Sequence, residues 1–327
     1  MSLPLAASPF AFAPLLLALL LDAAIGDPAW LYCRFPHPAA LIGRAVALLD
    51  RALNRETATE PARRALGIVA IALLAGAAVL LGLAVHCLLA RLPYGWCLEA
   101  IAMSMLLAQR SLHLHVCAVA EGLERGGIEA GRAAVRHIVG RDPESLDEAG
   151  VSRAALESLA ENFSDGITAP LFWGTIFGLP GLLVYKAINT ADSMIGHRTD
   201  RYRAFGWAAA RLDDLVNLVP ARLAGAIIAA ASGARIGRAL AVMRRDAPKH
   251  RSPNAGWPEA AMAGALGVAI AGPRRYHGVL VGDHWMGAGG NAEIGPAEIH
   301  RGLALFLRAC LLQAGLLGLV ALVAALL

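Results

Sequence analysis

Three long apolar runs frame the chain. Met1–Leu21, Ala65–Ala90 and Ala309–Leu327 each lack Asp, Glu, Lys and Arg. About 20 apolar residues cross a bilayer as a helix, so residues 1–21, 65–90 and 309–327 are predicted transmembrane helices. The first run has no basic n-region and no convincing small-residue cleavage site, which favours a retained anchor over a secretory signal. Leu41–Leu53 has helical apolar spacing and reads as a surface helix. Leu98–Ala120 is a candidate return helix, although Gln109, Arg110, His113 and His115 make its second half polar. Those histidines are two apart and do not share a helical face, so interfacial or core roles suit them better than a metal pair. Residues 121–165 read as a soluble helical insertion. Two helix starts compete there, Asp142-Pro143 as N-cap and N1, and Ser145-x-x-Glu148 as a capping box. The helix that follows is expected to end near Gly166.

Beyond Gly166 the pattern changes. Ile167–Tyr185 is long enough to span but contains Pro170, Gly174, Gly178, Pro180 and Gly181. Leu223–Ala234 and Ala260–Pro273 are too short to span comfortably. Bilayers tolerate interrupted segments only where protein shields the backbone, so these runs are expected to be re-entrant or buried. The expected fold is therefore all-α: a polytopic integral membrane protein, residues 1–327 forming one membrane domain, with broken or re-entrant helices around a polar site.

Composition sharpens this picture. An apolar fraction of 57% exceeds that of a typical soluble domain. The net charge of +4 comes almost wholly from arginine. Arg34, Arg44, Arg51, Arg55, Arg63 and Arg64 make the first loop strongly basic, which places it in the cytoplasm and Met1 outside. A multi-pass protein of the cell inner membrane, its polar site facing the cytoplasm, is expected. Nothing resembles a nucleic-acid module. The five cysteines are scattered without a C-x-x-C pair, so neither a disulfide framework nor a zinc site is indicated.

Candidate chemistry gathers between residues 157 and 259, where both lysines also lie. Polar groups beside lipid-depth segments are costly and usually mark a site. On an α-helix Glu157, Glu161 and Asp165 share a face at i, i+4, i+8. Such a face suits Mg²⁺, which takes a few carboxylates plus substrate phosphates, or equally a solvated acidic face paired with arginines. Lys186, Asn189 and Ser193 share a face, with Asp192 at its edge; a lysine after an apolar run can also snorkel to the interface. Arg201, Arg203 and Arg211 lead to Asp213-Asp214. Their forks suit phosphate or carboxylate, but by spacing alone pairing with the aspartates is the simpler reading. Lys249-His250-Arg251, followed by Asn254-Ala255-Gly256, delivers cations just before a helix N-terminus, a good setting for an anion. Gly287-Ala288-Gly289-Gly290-Asn291-Ala292 formally fits G-x-G-x-x-A but lacks the βαβ context that would give it meaning. There is no Walker A loop and no nucleophile elbow.

Taken in order, a set of short motifs resembles the CobD/CbiB family of cobalamin-biosynthesis membrane proteins, the adenosylcobinamide-phosphate synthases. They are Gly26-Asp27-Pro28, His37-Pro38, Glu161-Asn162 with Asp165-Gly166, Tyr185-Lys186-Ala187 with Asn189-Thr190, and Asp192-Ser193-Met194. Phe205-Gly206-Trp207, Ala210–Asp214 and Ser252–Glu259 complete the series. Phe163-Ser164 departs from the family's common Thr-Val, and Val281–Gly295 is only loosely similar. The resemblance implies an ATP-consuming amide ligase joining the carboxylate of adenosylcobyric acid to (R)-1-aminopropan-2-ol or its O-phosphate. ATP and Mg²⁺ are the implied cofactors. Other cobalamin-pathway membrane enzymes, or a second copy, are candidate partners within the lipid bilayer.

On that reading Glu161, Asp165, Lys186, Asp192, Asp213 and Asp214 are catalytic candidates, with Glu161, Asp165 and Asp192 toward metal. Arg201, Arg203, Arg211, Lys249, His250 and Asn254 are directed toward ATP or phosphate. Two other classes compete. A transporter would show matched broken segments in two halves, and none is evident. A non-catalytic membrane sensor could keep the helices but lose the polar residues, which are intact here.

Overall fold

The computed structural model describes residues 12–139, 143–276 and 279–326. Helices come first: α1 Ala13–Ala24, α2 Ala29–Tyr32, α3 Pro38–Leu53, α4 Glu60–Leu89, α5 Gly95–Ser104 and α6 Gln109–Val135. Then α7, Glu148–Phe163, runs through a π-helical turn, Ser164–Thr168, into α8, Ala169–Ile195. After α9 Trp207–Val216 come α10 Leu218–Ala231, α11 Ile236–Asp246 and α12 Gly256–Leu266. Short strands β1 Ile270–Ala271, β2 Arg274–Tyr276, β3 Val279–Val281 and β4 Trp285–Met286 precede α13, Pro296–Leu326.

The all-α expectation holds apart from two small antiparallel pairs, β1 with β4 and β2 with β3. Among the described residues three helical stretches are long and apolar enough to cross a membrane: Glu60–Leu89, the continuous Glu148–Ile195, and Pro296–Leu326. They mark a membrane protein. α9 and α10 together would supply a fourth, bent by 47°.

The contacts divide the chain into two compact units. Unit one takes the described parts of Met1–Ala108, Ala169–Asn217 and Leu317–Leu327; unit two takes those of Gln109–Thr168 and Leu218–Leu316.

In unit one, α4 lays Ala70, Ile71, Leu74 and Ala78 against Ala187, Ala191 and Ile195 of α8, and against Phe205 and Ala209. Small residues let these backbones approach, the packing mode available where lipid removes the hydrophobic drive between helices. The opposite side of α4 exposes Ile68, Val69, Leu73, Leu80 and Leu81, as a lipid-facing surface does. A Cβ on Gly67 would lie 1.9 Å from the Phe205 carbonyl oxygen. Gly67→Ala is therefore expected to destabilise unit one by about 1–3 kcal/mol, the range for overpacking. A lower detergent melting temperature, with Gly76→Ala (open space at the Cβ) as control, checks this.

The break expected in 167–185 is present. α8 kinks at Gly178, at φ 64° and ψ −152°, conformations that glycine reaches without Cβ strain. Pro180, two residues on, has no N–H to restore the helical bond. His37 caps α3 by accepting from the Ala39 N–H at 3.1 Å, with Pro38 next, and its other ring nitrogen lies 3.1 Å from Asp27. Gly26-Asp27-Pro28 and His37-Pro38 thus serve one structural corner.

In unit two α12 is buried along nearly its whole length, from Pro258 to Leu266, between α10 and α11. It accounts for the short apolar run at 260 as a core helix. α12 ends at Gly267, at φ 80°.

Several expected boundaries are corrected. The expected first span, 1–21, begins outside the described residues, and α1, which takes up its described part, runs on to Ala24. Leu98–Ala120 is not one helix but parts of α5 and α6, interrupted at Met105–Ala108. Neither proposed start opens α7. Asp147 is its N-cap, accepting from the Gly150 N–H at 2.7 Å; the Asp142 alternative lies outside the described residues. Nor does the helix end near Gly166, because the π turn carries it into α8.

Candidate functional site

In unit one the last turns of α8 face α9. Tyr185, 1% exposed, donates its hydroxyl to Asn217 Oδ1 at 3.0 Å. The Asn217 amide donates to Asp213 Oδ2 at 3.0 Å, and the Asn189 amide donates to Asp213 Oδ1 at 3.3 Å. Both oxygens of a buried carboxylate are thereby aimed by amides. Asp192, on the same helix as Asn189, interacts electrostatically with Asp213. Two carboxylates in such a setting favour a shared proton or a cation. Lys186 is half-buried one turn before Asn189.

Beside this group lies a groove of about 620 Å³. Arg64, Arg198, Arg203 and Arg211 line it with His197, against only Glu60 and Asp214 as acids. Arg203 reaches Glu60 at 3.7 Å and Arg211 reaches Asp214 at 3.4 Å; both arginines are more than half exposed. Exposed pairs of this kind are weak, so their forks can turn to a ligand. Arg64 rests over the Trp207 ring, 5.2 Å from its centroid. Trp207 and its neighbour Gly206 come from the Phe-Gly-Trp motif, where a Cβ on Gly206 would lie 1.6 Å from the Ile195 carbonyl oxygen.

Arg201 is placed differently from Arg203 and Arg211. It donates to Asp50 at 2.9 Å and to Glu56 at 3.1 Å, while Asn54 and Arg63 bond its carbonyl. That network ties the α3–α4 connection to the loop after α8.

Unit two holds the remaining candidates. Glu157 and Glu161 stand one turn apart in α7, as expected, but burial divides the acidic series of Glu157, Glu161 and Asp165. Glu157 is buried and accepts the Ala271 N–H at 2.9 Å, joining α7 to β1. Glu161 is exposed, and Asp165 is half-buried in the π turn, where the α-helical register no longer applies. Among the described residues no three His, Cys, Asp or Glu side chains stand together to hold a metal ion.

Residues 249–256 fold as a loop leading into α12, as expected. Ser252 Oγ accepts from the N–H groups of Asn254 and Ala255, both at 3.2 Å. Asn254 is 6% exposed and accepts from Arg222, whose guanidinium also lies over Trp257. His250 faces inward, 3.8 Å from Glu259, with its Nδ1 accepting the Ser252 N–H. Lys249 is half exposed and bridges to Asp246 at 3.2 Å.

Asp246, fully buried, is the hub the sequence reading did not single out. Arg245 forks onto it at 2.9 and 2.6 Å, and the Gly287 N–H donates at 3.0 Å. Burial would push its carboxyl up, but the bonds from Arg245, Lys249 and Gly287 outweigh that and bring it down to about 2. Arg64, His197 and Arg198 were also missed. The Gly196-His197-Arg198 tripeptide at the end of α8 was a usable signal, since helix C-termini favour cations.

A family profile described as "CobD/Cbib protein" matches residues 15–306. The chain belongs to the CobD/CbiB family. It is 53% identical over 309 residues to "Cobalamin biosynthesis protein CobD" of Sinorhizobium sp, covering 92% of this chain and 95% of the relative. The protein of the same description from Rhodobacter capsulatus is 52% identical over 312 residues, 94% and 97% of the two chains. That of Rhizobium meliloti (strain 1021) is 51% identical over 306 residues, 90% and 92%. No solved structure matches the chain. Membership gives this CobD/CbiB chain a role in cobalamin biosynthesis.

Proposed function

We propose that the chain is the ATP-dependent ligase that joins the adenosylcobyric acid carboxylate to (R)-1-aminopropan-2-ol or its O-phosphate. The observation that carries this reading is the arginine groove of unit one in a CobD/CbiB chain. Planar guanidinium forks suit phosphate oxygens, and about 620 Å³ falls within the usual range for small-molecule sites. A carboxylate resists attack by an amine because oxide is a poor leaving group. Transfer of the γ-phosphoryl group to a carboxylate oxygen releases ADP and gives an acyl phosphate. The amine nitrogen then attacks the carbonyl carbon, phosphate departs, and the nitrogen loses a proton.

In this scheme Arg203 and Arg211 bind and orient the phosphates. Asp213, held by Asn189 and Asn217, is the positioned carboxylate available to take the amine's proton. Lys186 is the cation nearest that group along α8. Mg²⁺, when bound, would neutralise charge on the transferring phosphoryl group. Its site needs only one or two carboxylates with phosphate oxygens, a requirement that Asp192 and Asp214 of unit one can meet. ATP supply places the groove on the cytoplasmic side of the inner membrane.

The deciding experiment incubates detergent-solubilised chain with adenosylcobyric acid, either amine and Mg-ATP, and measures the amide by mass together with ADP. Amide appearing without nucleotide, or none with either amine from folded protein, would overturn the ligase assignment. Asp192→Asn is expected to cut turnover roughly tenfold, about 1.4 kcal/mol in barrier, and to raise the Mg²⁺ requirement without lowering the melting temperature. An unchanged Mg²⁺ profile with a lowered melting temperature would make Asp192 a structural residue.

A further inference from the structure

One surface of unit one is used neither by its core nor by the scheme above. α3 turns Val46 inward and packs Ile42, Ala45, Leu49 and Leu53 against the core that it shares with α4 and α8. Its opposite face carries Leu41, Arg44, Leu48 and Arg51 at i, i+3, i+7 and i+10, with Arg55 just past the helix end, and all five are exposed. Every leucine of this stripe stands one turn from an arginine. The segment before α3 adds Trp30 and Phe35, 66% and 63% exposed, beside 61% for Leu48. The ring of Tyr32, 4.5 Å from that of His37, joins that segment to the start of α3.

The charge of the stripe is one-sided. From Cys33 to Arg55 the one acid is Asp50; it is buried, and Arg201 takes it at 2.9 Å. Arg34, Arg44, Arg51 and Arg55 are exposed, and none forms an ion pair among the described residues. Exposed apolar area of this size marks an interaction surface. A protein partner favours an interface core with few charges, whereas the headgroup layer of an anionic bilayer suits both residue types. Apolar ends reach the acyl boundary, arginine stems lie along it, and the guanidinium groups stay with the lipid phosphates. Tryptophan favours that depth. The position agrees. Asn54, at the end of α3, accepts from Arg63 of α4 at 3.1 and 2.9 Å. The exposed apolar surface of α4 opens at Ile68 and Val69, little more than a turn later. The end of α3 is thereby tied to the level at which α4 enters lipid.

We infer that α2 and α3 form an interfacial element that binds anionic phospholipid, with Trp30, Phe35, Leu41 and Leu48 at the acyl boundary and Arg44, Arg51 and Arg55 on the headgroups. Anionic lipid is favoured because a run of cations beside a membrane gains from its negative surface potential. The inference stands apart from the ligase reading, because no turnover is measured. The test has two arms, both on the full chain. In the first, phosphatidylglycerol is titrated onto the detergent-solubilised protein and bound lipid is counted by native mass spectrometry. Arg44→Gln/Arg51→Gln is expected to weaken this binding roughly tenfold, about 1.4 kcal/mol, with the melting temperature unchanged. Arg91→Gln/Arg125→Gln removes the same exposed charge outside the stripe and should leave the affinity near that of the unaltered chain. In the second arm the Trp30 emission, taken as the unaltered chain minus Trp30→Phe, is read in nanodiscs. These contain phosphatidylglycerol and a phosphatidylcholine brominated near the head of its acyl chains. Bromolipid should quench that emission. Two results would overturn the inference: phosphatidylglycerol affinity that is absent, or equal in the two double variants, and Trp30 emission that bromolipid leaves unquenched. In the second case quenching by aqueous acrylamide would put the face in water, and resistance to acrylamide would put a protein partner over it.

Discussion

Asp246→Ala is expected to lower the stability of unit two by roughly 1–3 kcal/mol, the cost of leaving the buried Gly287 N–H without an acceptor while the half-exposed Arg245 and Lys249 return to water. Three donors converge on that carboxylate: the Arg245 fork, the Lys249 ammonium and the Gly287 N–H. Without it, Arg245 and Lys249 repel each other. Of its two hydrogen-bonded ties to α11 among the described residues, the glycine turn then keeps only the bond from Arg245 to the Ala288 carbonyl, at 3.0 Å. Asp246→Asn keeps an acceptor for Gly287 and should cost less. Hydrogen exchange at α11 and at residues 285–290 checks the effect locally, where a global melt would average it over two units. Acid gives an independent handle. The folded Asp246 carboxyl titrates at about 2, below its ordinary value, so the unfolded chain binds the proton more readily. Its stabilisation is complete above the ordinary carboxylate range and is lost as pH falls toward 2. In Asp246→Asn that part of the acid dependence should disappear; the same acid profile in both proteins would exclude Asp246 as the hub.

This hub also shows where the sequence was and was not legible. The runs at 65–90 and 309–327 announced α4 and α13 because lipid exposure needs unbroken apolar composition. Gly178 and Pro180 announced the break in α8 because both act on the local backbone. The loop before α12 was visible from Pro253 and Gly256 for the same reason. The partnership of Arg201 with Asp50 had no local signature, because the two residues are far apart in the chain. The like-charge reading of Glu157, Glu161 and Asp165 assumed an unbroken α-helix. What it lacked was the burial that separates the three: Glu157 is consumed by a backbone amide of β1, Glu161 is exposed, and Asp165 sits in the wider π turn. The interleaving of two units, crossed at residues 108, 168, 217 and 316, is likewise a property of long-range packing.

Arg203→Ala/Arg211→Ala is expected to raise the KM for ATP about a hundredfold while leaving kcat nearly unchanged. Both side chains line the unit-one groove, both are more than half exposed, and among the described residues their ion pairs are those to Glu60 and Asp214. Removing them takes two forks from the phosphates, and charge-assisted hydrogen bonds contribute about 1.5–3 kcal/mol each. A hundredfold is about 2.7 kcal/mol, below the sum, because Arg64 and Arg198 remain in the groove. Binding lost equally from ground and transition states appears in KM rather than kcat. Salt separates this from a folding effect: the unaltered chain should lose ATP affinity as ionic strength rises, and the double variant should lose much less. If the groove arginines only anchor the chain at the membrane border, the substitutions will lower the melting temperature and leave the KM for ATP where it was. In that case the phosphates bind elsewhere, and unit one retains only its Asp213 group as a candidate for the chemistry.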